Sequence, residues 1–212
     1  MELLKKANGN IPRTEEEKLK MIEEMSIHYA KFLLAAGFDY LADPHTIDTP
    51  KRVSKAWIND LITGNISEMC SVSAFPNDEG YTGLVIQTDI DVVSMCAHHN
   101  LPFKGTAYVS YIPGKSSTDM ILGLSKLNKI VDFFSRRLNV QESLTKQVHD
   151  KVDELCVGNR GVAVVIMSQH SCVSCRGTKQ DSTMKTSQLS GYFFDNEATR
   201  NELFQLIGQS HK

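Results

Sequence analysis

Residues 84–112 read LVIQTDIDVVSMCAHHNLPFKGTAYVSYI, and the turn pair Pro113-Gly114 follows at once. Two runs rich in β-branched and aromatic residues, Leu84 to Val93 and Phe103 to Ile112, read as strands, with a Cys-His cluster between them. Further along, Val162 to Met167 is an almost continuous apolar run bounded by Gly161 and His170, as expected of a strand covered on both faces. A fourth strand is expected near Leu189 to Phe194, followed by a helix from Asp195 to Ile207. Between the second and third strands, amphipathic spacing predicts helices from Ser125 to Arg137 and from Gln141 to about Leu155. The order strand, strand, helix, helix, strand, strand predicts an α+β unit: a four-stranded antiparallel sheet with two helices on one face. Helices sufficient for one face leave the other to be covered by neighbouring subunits, so self-association is expected.

The cluster at the end of the first strand and the residues after the third bring chemistry to one end of that sheet. Cys96 and His99, with Cys172 from His170-Ser171-Cys172, supply three ligands for one zinc ion, and a spare histidine, His98 or His170, lies beside each half. Three protein ligands leave a fourth tetrahedral position for water, whose pKa the ion lowers to about 7; structural sites are usually closed by four. The chain therefore reads as a zinc hydrolase. Cys175 makes a Cys-x-x-Cys pair with Cys172, which keeps open a closed, inactive four-ligand site or an oxidative disulfide. The count of five cysteines is odd, and the start Met1-Glu2-Leu3-Leu4-Lys5-Lys6 lacks a long apolar core. A reducing cytoplasm is the expected location, with Cys70 and Cys156 as packing residues. No apolar run approaches the ~20 residues of a membrane span, so no membrane partner is expected.

Upstream, Thr14 and Glu17 form a capping-box pattern ahead of apolar residues at Met21, Ile22, Met25, Tyr29, Phe32 and Leu33, predicting a helix that ends near Gly37. A second helix is expected with Thr49 as N-cap and Pro50 at its first position, running towards Gly64. The polar stretch Ser71 to Tyr81 divides a helical region, residues 1–80, from a catalytic domain, residues 81–212. With 25 acidic and 23 basic residues the net charge is -2, so no nucleic acid is expected as partner and any anion site must be local. Cations do stand at the wrong end of two predicted helices for dipole compensation. Lys51 and Arg52 open one; Lys126 and Lys129 open the other, where Ser125 is also a natural cap.

Taken in order, Cys96-Ala97-His98-His99 with Pro102-Phe103, Gly123-Leu124-Ser125-Lys126-Leu127, Arg136-Arg137-Leu138, Val140-Gln141-Glu142-Ser143-Leu144-Thr145, and His170-Ser171-Cys172 with Arg176-Gly177 resemble GTP cyclohydrolase I. Thr49-Pro50-Lys51-Arg52-Val53, and Thr186-Ser187 with Gly191 and Phe193, extend the resemblance over most of residues 14 to 207. It implies a T-fold subunit in a toroidal homodecamer of two face-to-face pentamers, with active sites where subunits meet. It also implies a cytoplasmic, allosteric enzyme that converts GTP and water to formate and 7,8-dihydroneopterin triphosphate, the first step of tetrahydrofolate and pterin biosynthesis. By resemblance, Zn2+ is held by Cys96, His99 and Cys172, and His98 and His170 are the acid/base pair. Glu142 reads the guanine edge and Gln141 helps hold the nucleotide. Lys126, Lys129 and Arg176, with Arg52 and Lys55 from another subunit, cradle the triphosphate. Ser125 acts in the sugar rearrangement or merely caps its helix. His28, His45, His149 and His211 have no such company and read as structural.

Three departures stand out: Ala97 replaces a usual Glu, Lys129 a frequent Arg, and Ser174-Cys175 precede the Arg-Gly pair. Other readings are a related purine or pterin enzyme with altered substrate, and a zinc-stabilised nucleotide-binding assembly without turnover, which needs Cys175 as fourth ligand.

Overall fold

The computed structural model describes residues 2–209; His211 lies outside them. Helix α1 spans Glu15–Ala35, and the capping box at its start is complete: the Glu17 amide donates to Thr14 Oγ1 at 3.2 Å and the Thr14 amide to Glu17 Oε2 at 2.9 Å. Helix α2 (Thr49–Ala56) begins one residue earlier than expected, because Asp48 is its N-cap and Thr49 is already helical. It runs into wider π-type turns at Trp57–Leu61 and then the short helix α3 (Thr63–Ile66). Ile22, Ile58 and Ile66 form a small core between these helices, with Met21 and Met25 against it. The α1 stripe is only partly covered: Phe32 is 62% exposed in the single chain.

The sheet is built from β2 (Val85–Cys96), β3 (Pro102–Ile112), β6 (Gly161–His170) and β7 (Thr183–Leu189), all antiparallel in that spatial order. A fifth strand, β5 (Leu138–Asn139), escaped the sequence reading because it is two residues long; it pairs parallel to the end of β2. The polar stretch read as a boundary contains β1 (Ala74–Pro76), which pairs with β4 (Met120–Leu122), so it is stitched to the downstream region by a two-stranded ladder. Helices α4 (Leu124–Ser135) and α5 (Gln141–Leu155) cover one face of the main sheet. Leu127, Ile130, Val131, Leu144, Val148 and Val152 meet Val92, Val109, Val164 and Ile166 there, all at most 2% exposed. Cys156 is buried in this core as expected, whereas Cys70 is exposed.

The last strand was expected too late. Gly191 has φ +52, and a methyl group on it would lie 2.2 Å from the Arg160 carbonyl oxygen, so the chain turns there. Tyr192–Asp195 becomes a helical turn (α7) after the short turn α6 (Ser171–Ser174), and α8 (Glu197–Gly208) follows. Phe193, Leu203 and Ile207 then cover part of the second sheet face, over Ile112, Ala163 and Val165. That face is therefore not left wholly to neighbouring subunits.

Gly64 ties the helical layer to α4: its amide donates to the Arg136 carbonyl at 2.8 Å, and an added methyl would stand 2.0 Å from the Phe133 carbonyl oxygen. Gly64→Ala should consequently lower the free energy of unfolding by about 1–3 kcal/mol, read by urea denaturation.

Candidate metal centre and its surrounding cleft

Strand β2 delivers Cys96 in its last position, 5% exposed, and the turn to β3 carries His98 and His99 into solvent. The turn is closed by the Cys96 amide on Leu101 O at 2.9 Å and the Asn100 amide on Cys96 O at 2.8 Å, with Asn100 in the left-handed region at φ 53. Asn139 of β5 steadies it from the side, its carbonyl accepting from the Ala97 amide at 2.9 Å. Register does the rest. Phe103 stands opposite His170 in the β3–β6 ladder, so the chain leaving β6 enters α6 directly beside the turn. Cys172, on that helical turn, has its Sγ 3.8 Å from Cys96 Sγ.

Among the described residues, the donor atoms of Cys96, His99 and Cys172 lie within 4.8 Å of one another, the three ligands expected from sequence. Two thiolates and an imidazole form a set that could hold a soft or borderline metal ion. Cys175 is exposed and stands outside this group, its amide completing the helical turn on Ser171 O at 2.9 Å. Burial and the neighbouring Cys96 thiol push the Cys172 pKa up, while Arg176 pulls the other way.

A cleft of about 460 Å³ opens beside the donors, within the range of small-molecule sites. His98, Glu142 and His170 line it together with the three ligand candidates. Glu142 is exposed in the first turn of α5. His98 Nδ1 lies 3.9 Å from Cys96 Sγ, and His170 Nδ1 lies 4.0 Å from Cys172 Sγ. The His170 ring stacks on Phe103 with centroids 4.4 Å apart and planes at 11°. Burial lowers its pKa, opposed by the Glu142 carboxylate. Protonating this ring is then harder in the folded than in the unfolded chain, so its contribution to stability is held above the ordinary histidine pKa and lost as pH falls through the lowered value.

Gln141 lines the same cleft from below its surface. It is 1% exposed and its amide is used inside the protein. Nε2 donates to Ile166 O at 3.1 Å, Met184 O at 3.2 Å and Thr186 Oγ1 at 3.2 Å. Two carbonyl oxygens can only accept, so this end of the side chain must be the NH2 group. Oε1 therefore faces Ser168 Oγ at 2.5 Å and His170 Nε2 at 2.8 Å, and His170 must carry its proton on Nε2. Ser168 went unnoticed in the sequence, although it sits two residues before His170 on the same face of β6.

The remaining predicted residues are not gathered at this cleft by one chain. Ser125 and Lys129 are exposed on α4, and Lys126 is half-buried; the N-cap of α4 is Gly123, so Ser125 is not the cap. Arg52 is exposed and pairs with Asp48 at 3.4 Å; Lys55 and Arg176 are exposed. His149 keeps its structural reading, with Nε2 3.0 Å from Ser190 Oγ.

The sequence profile of the family described as GTP cyclohydrolase I matches residues 25–208. The chain belongs to the GTP cyclohydrolase I family. GTP cyclohydrolase 1 1 of Pseudomonas syringae pv. tomato is 43% identical over 193 residues, covering 90% of this chain and 99% of that one. GTP cyclohydrolase 1 of Porphyromonas gingivalis is 42% identical over 202 residues, covering 92% and 98%. GTP cyclohydrolase 1 of Pseudoalteromonas atlantica is 38% identical over 193 residues, covering 89% and 100%. Among the described residues of this GTP cyclohydrolase I family member, no helix is long and apolar enough to cross a membrane.

Replacing Gln141 by Met keeps volume but removes the acceptor shared by the buried Ser168 hydroxyl and His170 Nε2–H. The expected loss is about 2 kcal/mol or more of stability, measured by urea denaturation, with secondary structure retained by circular dichroism.

Proposed function

We propose that the chain is a zinc-dependent GTP cyclohydrolase I, opening the guanine imidazole ring of GTP with release of formate and rearranging the remainder to 7,8-dihydroneopterin triphosphate. The observation that carries this reading is the convergence of Cys96, His99 and Cys172 beside a cleft lined by His98, His170 and Glu142. The donor set fits zinc: two bonds of about 2.3 Å from sulfur at a tetrahedral angle span about 3.8 Å, and the two sulfurs are 3.8 Å apart. A zinc ion bound there supplies a Lewis acid that makes water nucleophilic at neutral pH.

The chain's own residues then divide the work. Glu142 accepts from the guanine ring N–H and exocyclic amine, an arrangement adenine cannot satisfy. His170, with Nε2–H committed to Gln141, offers the lone pair of Nδ1 to the cleft, and His98, beside Cys96, exchanges the other proton. Gln141 is a positioning residue, acting on the nucleotide through His170. Lys126, Lys129 and Arg176, with Arg52 and Lys55 from another subunit, hold the triphosphate, and Ser125 serves the sugar rearrangement. The separation of these cations from the cleft in one chain, and the exposed Phe32, support a T-fold subunit that completes its site in a homodecamer. The absence of Cys175 from the donor group favours an open, catalytic site over a closed, non-catalytic one.

Incubation of zinc-loaded protein with GTP should yield formate and an oxidisable neopterin product, with His98→Ala slower by roughly 100-fold or more. Absence of both products, with the wild type no better than His98→Ala, would sink the assignment. Elemental analysis gives an independent check on the ligands: Cys175→Ser should retain one zinc per chain and Cys172→Ser should lose it. Because the Cys172 pKa is raised, protons compete for the thiol up to higher pH, so apparent zinc affinity should climb as pH increases through the neutral range, as read by chelator competition.

A further inference from the structure

Residues 6–13 form a strap that lies across α5 on the way into α1. Asn65 Nδ2 donates to Ala7 O at 2.9 Å and to Gly9 O at 2.6 Å, and the Ile11 amide donates to Asn65 O at 2.8 Å. Asn8 O accepts from both Arg137 Nη1 at 2.8 Å and Gln147 Nε2 at 3.3 Å. Under the strap is a cleft of about 320 Å³, lined by Lys6, Asn8, Arg137, Ser143, Lys146 and Asp150 among others.

Arg137 is the unusual group. It is 5% exposed, its guanidinium carbon stands 4.7 Å from the Phe133 ring and 4.6 Å from the Phe134 ring, and its Nε has no acceptor. Among the described residues no carboxylate lies within ion-pair distance of it. A buried cation with no counter-charge is costly, and two aromatic faces offset only part of that cost. Burial accordingly lowers the guanidinium pKa to about 10. Among the described residues the one carboxylate lining the cleft, Asp150, is already engaged by Lys146 at 2.5 Å and by His149 at 3.3 Å. Arg137, Lys6 and Lys146 against Asp150 leave the cleft net positive, although the whole chain is acidic.

We propose that this cleft is a binding site for a phosphate-class oxyanion, held by Arg137 from below, Lys146 from α5 and Lys6 from the strap. A planar guanidinium held against two adjacent aromatic rings is pre-organised to present N–H donors to tetrahedral oxygens, and a multivalent anion supplies the missing counter-charge. Because Lys6 and Lys146 belong to different segments, the bound anion pins the strap onto α5. The site lies apart from the Cys-His cleft and does not depend on what that cleft catalyses.

The test is limited trypsin digestion of the full chain, following cleavage after Lys5 and Lys6 by mass spectrometry in inorganic phosphate and in chloride at matched ionic strength, normalised to an unstructured peptide. At a phosphate concentration twice the dissociation constant, cleavage should slow about threefold in the wild type. It should slow equally in Arg176→Ala, which weakens anion binding at the proposed substrate site, and be unaffected by phosphate in Lys146→Gln. Lys146 is exposed, so that variant should fold, and circular dichroism verifies it. No protection in the wild type, full protection in Lys146→Gln, or loss of protection in Arg176→Ala each overturns the proposal.

Discussion

Phe103 faces His170 across the β3–β6 ladder, and their rings stack face to face at 4.4 Å. The whole Cys96, His99 and Cys172 donor group depends on that one pairing. The β2–β3 turn fixes Cys96 and His99 only relative to Phe103, and the chain after His170 fixes Cys172 only relative to β6. A slip of one residue between β3 and β6 would turn His170 to the opposite sheet face and move Cys172 away from Cys96 by about a residue's rise. The core resists such a slip, because Val162, Val164 and Ile166 on one side and Ala163 and Val165 on the other are all nearly or fully buried. The arrangement of the three donor atoms thus rests on apolar burial on both faces of one strand.

A second layer of control is polar. Around the donors the protein places a buried amide, two hydroxyls and two strand carbonyls whose hydrogen-bonding capacities fit only one orientation of Gln141. The tautomer of His170 is settled by this accounting. Low exposure strengthens each of these bonds and raises the cost of breaking any one of them.

Much of this was legible in the residues. The antiparallel order and the two covering helices followed from apolar periodicity, and α5 has the bounds its spacing predicted. The Cys96, His99 and Cys172 group was readable because two thiols and an imidazole near strand ends are the residue types that metal ions select. What escaped was short or long-range. Two-residue β5 is too brief for any periodic signal, and the partner of β1 lies more than forty residues away. The end of β7 was misjudged because Tyr192, Phe193 and Phe194 have strand-like composition, while the left-handed Gly191 just before them sends the backbone into a helical turn. The resemblance implied a nucleotide-holding role for Gln141, and its buried bonds to the sheet had no signal in the sequence. Gln141 and Glu142 both line the cleft, but consecutive residues on a helix point in directions about 100° apart, so Glu142 is exposed while the Gln141 side chain runs inward to the sheet. The buried, unpaired state of Arg137 was invisible in a sequence where its neighbour Arg136 has the same chemistry and a partner in Asp132.

The Gln141 amide also bears on the order in which the molecule is made. Its NH2 group is held by Ile166 of β6 and by Met184 and Thr186 of β7, so the residue that orients His170 is itself oriented by the penultimate part of the chain. On the ribosome, the hairpin bearing Cys96 and His99, both covering helices and even Cys172 emerge before β7 does. A nascent chain in that state carries all three candidate donors, yet its His170 ring lacks part of the frame that fixes its proton. Assembling the donor group and fixing the His170 proton thus rest on different parts of the chain, and the second needs β7.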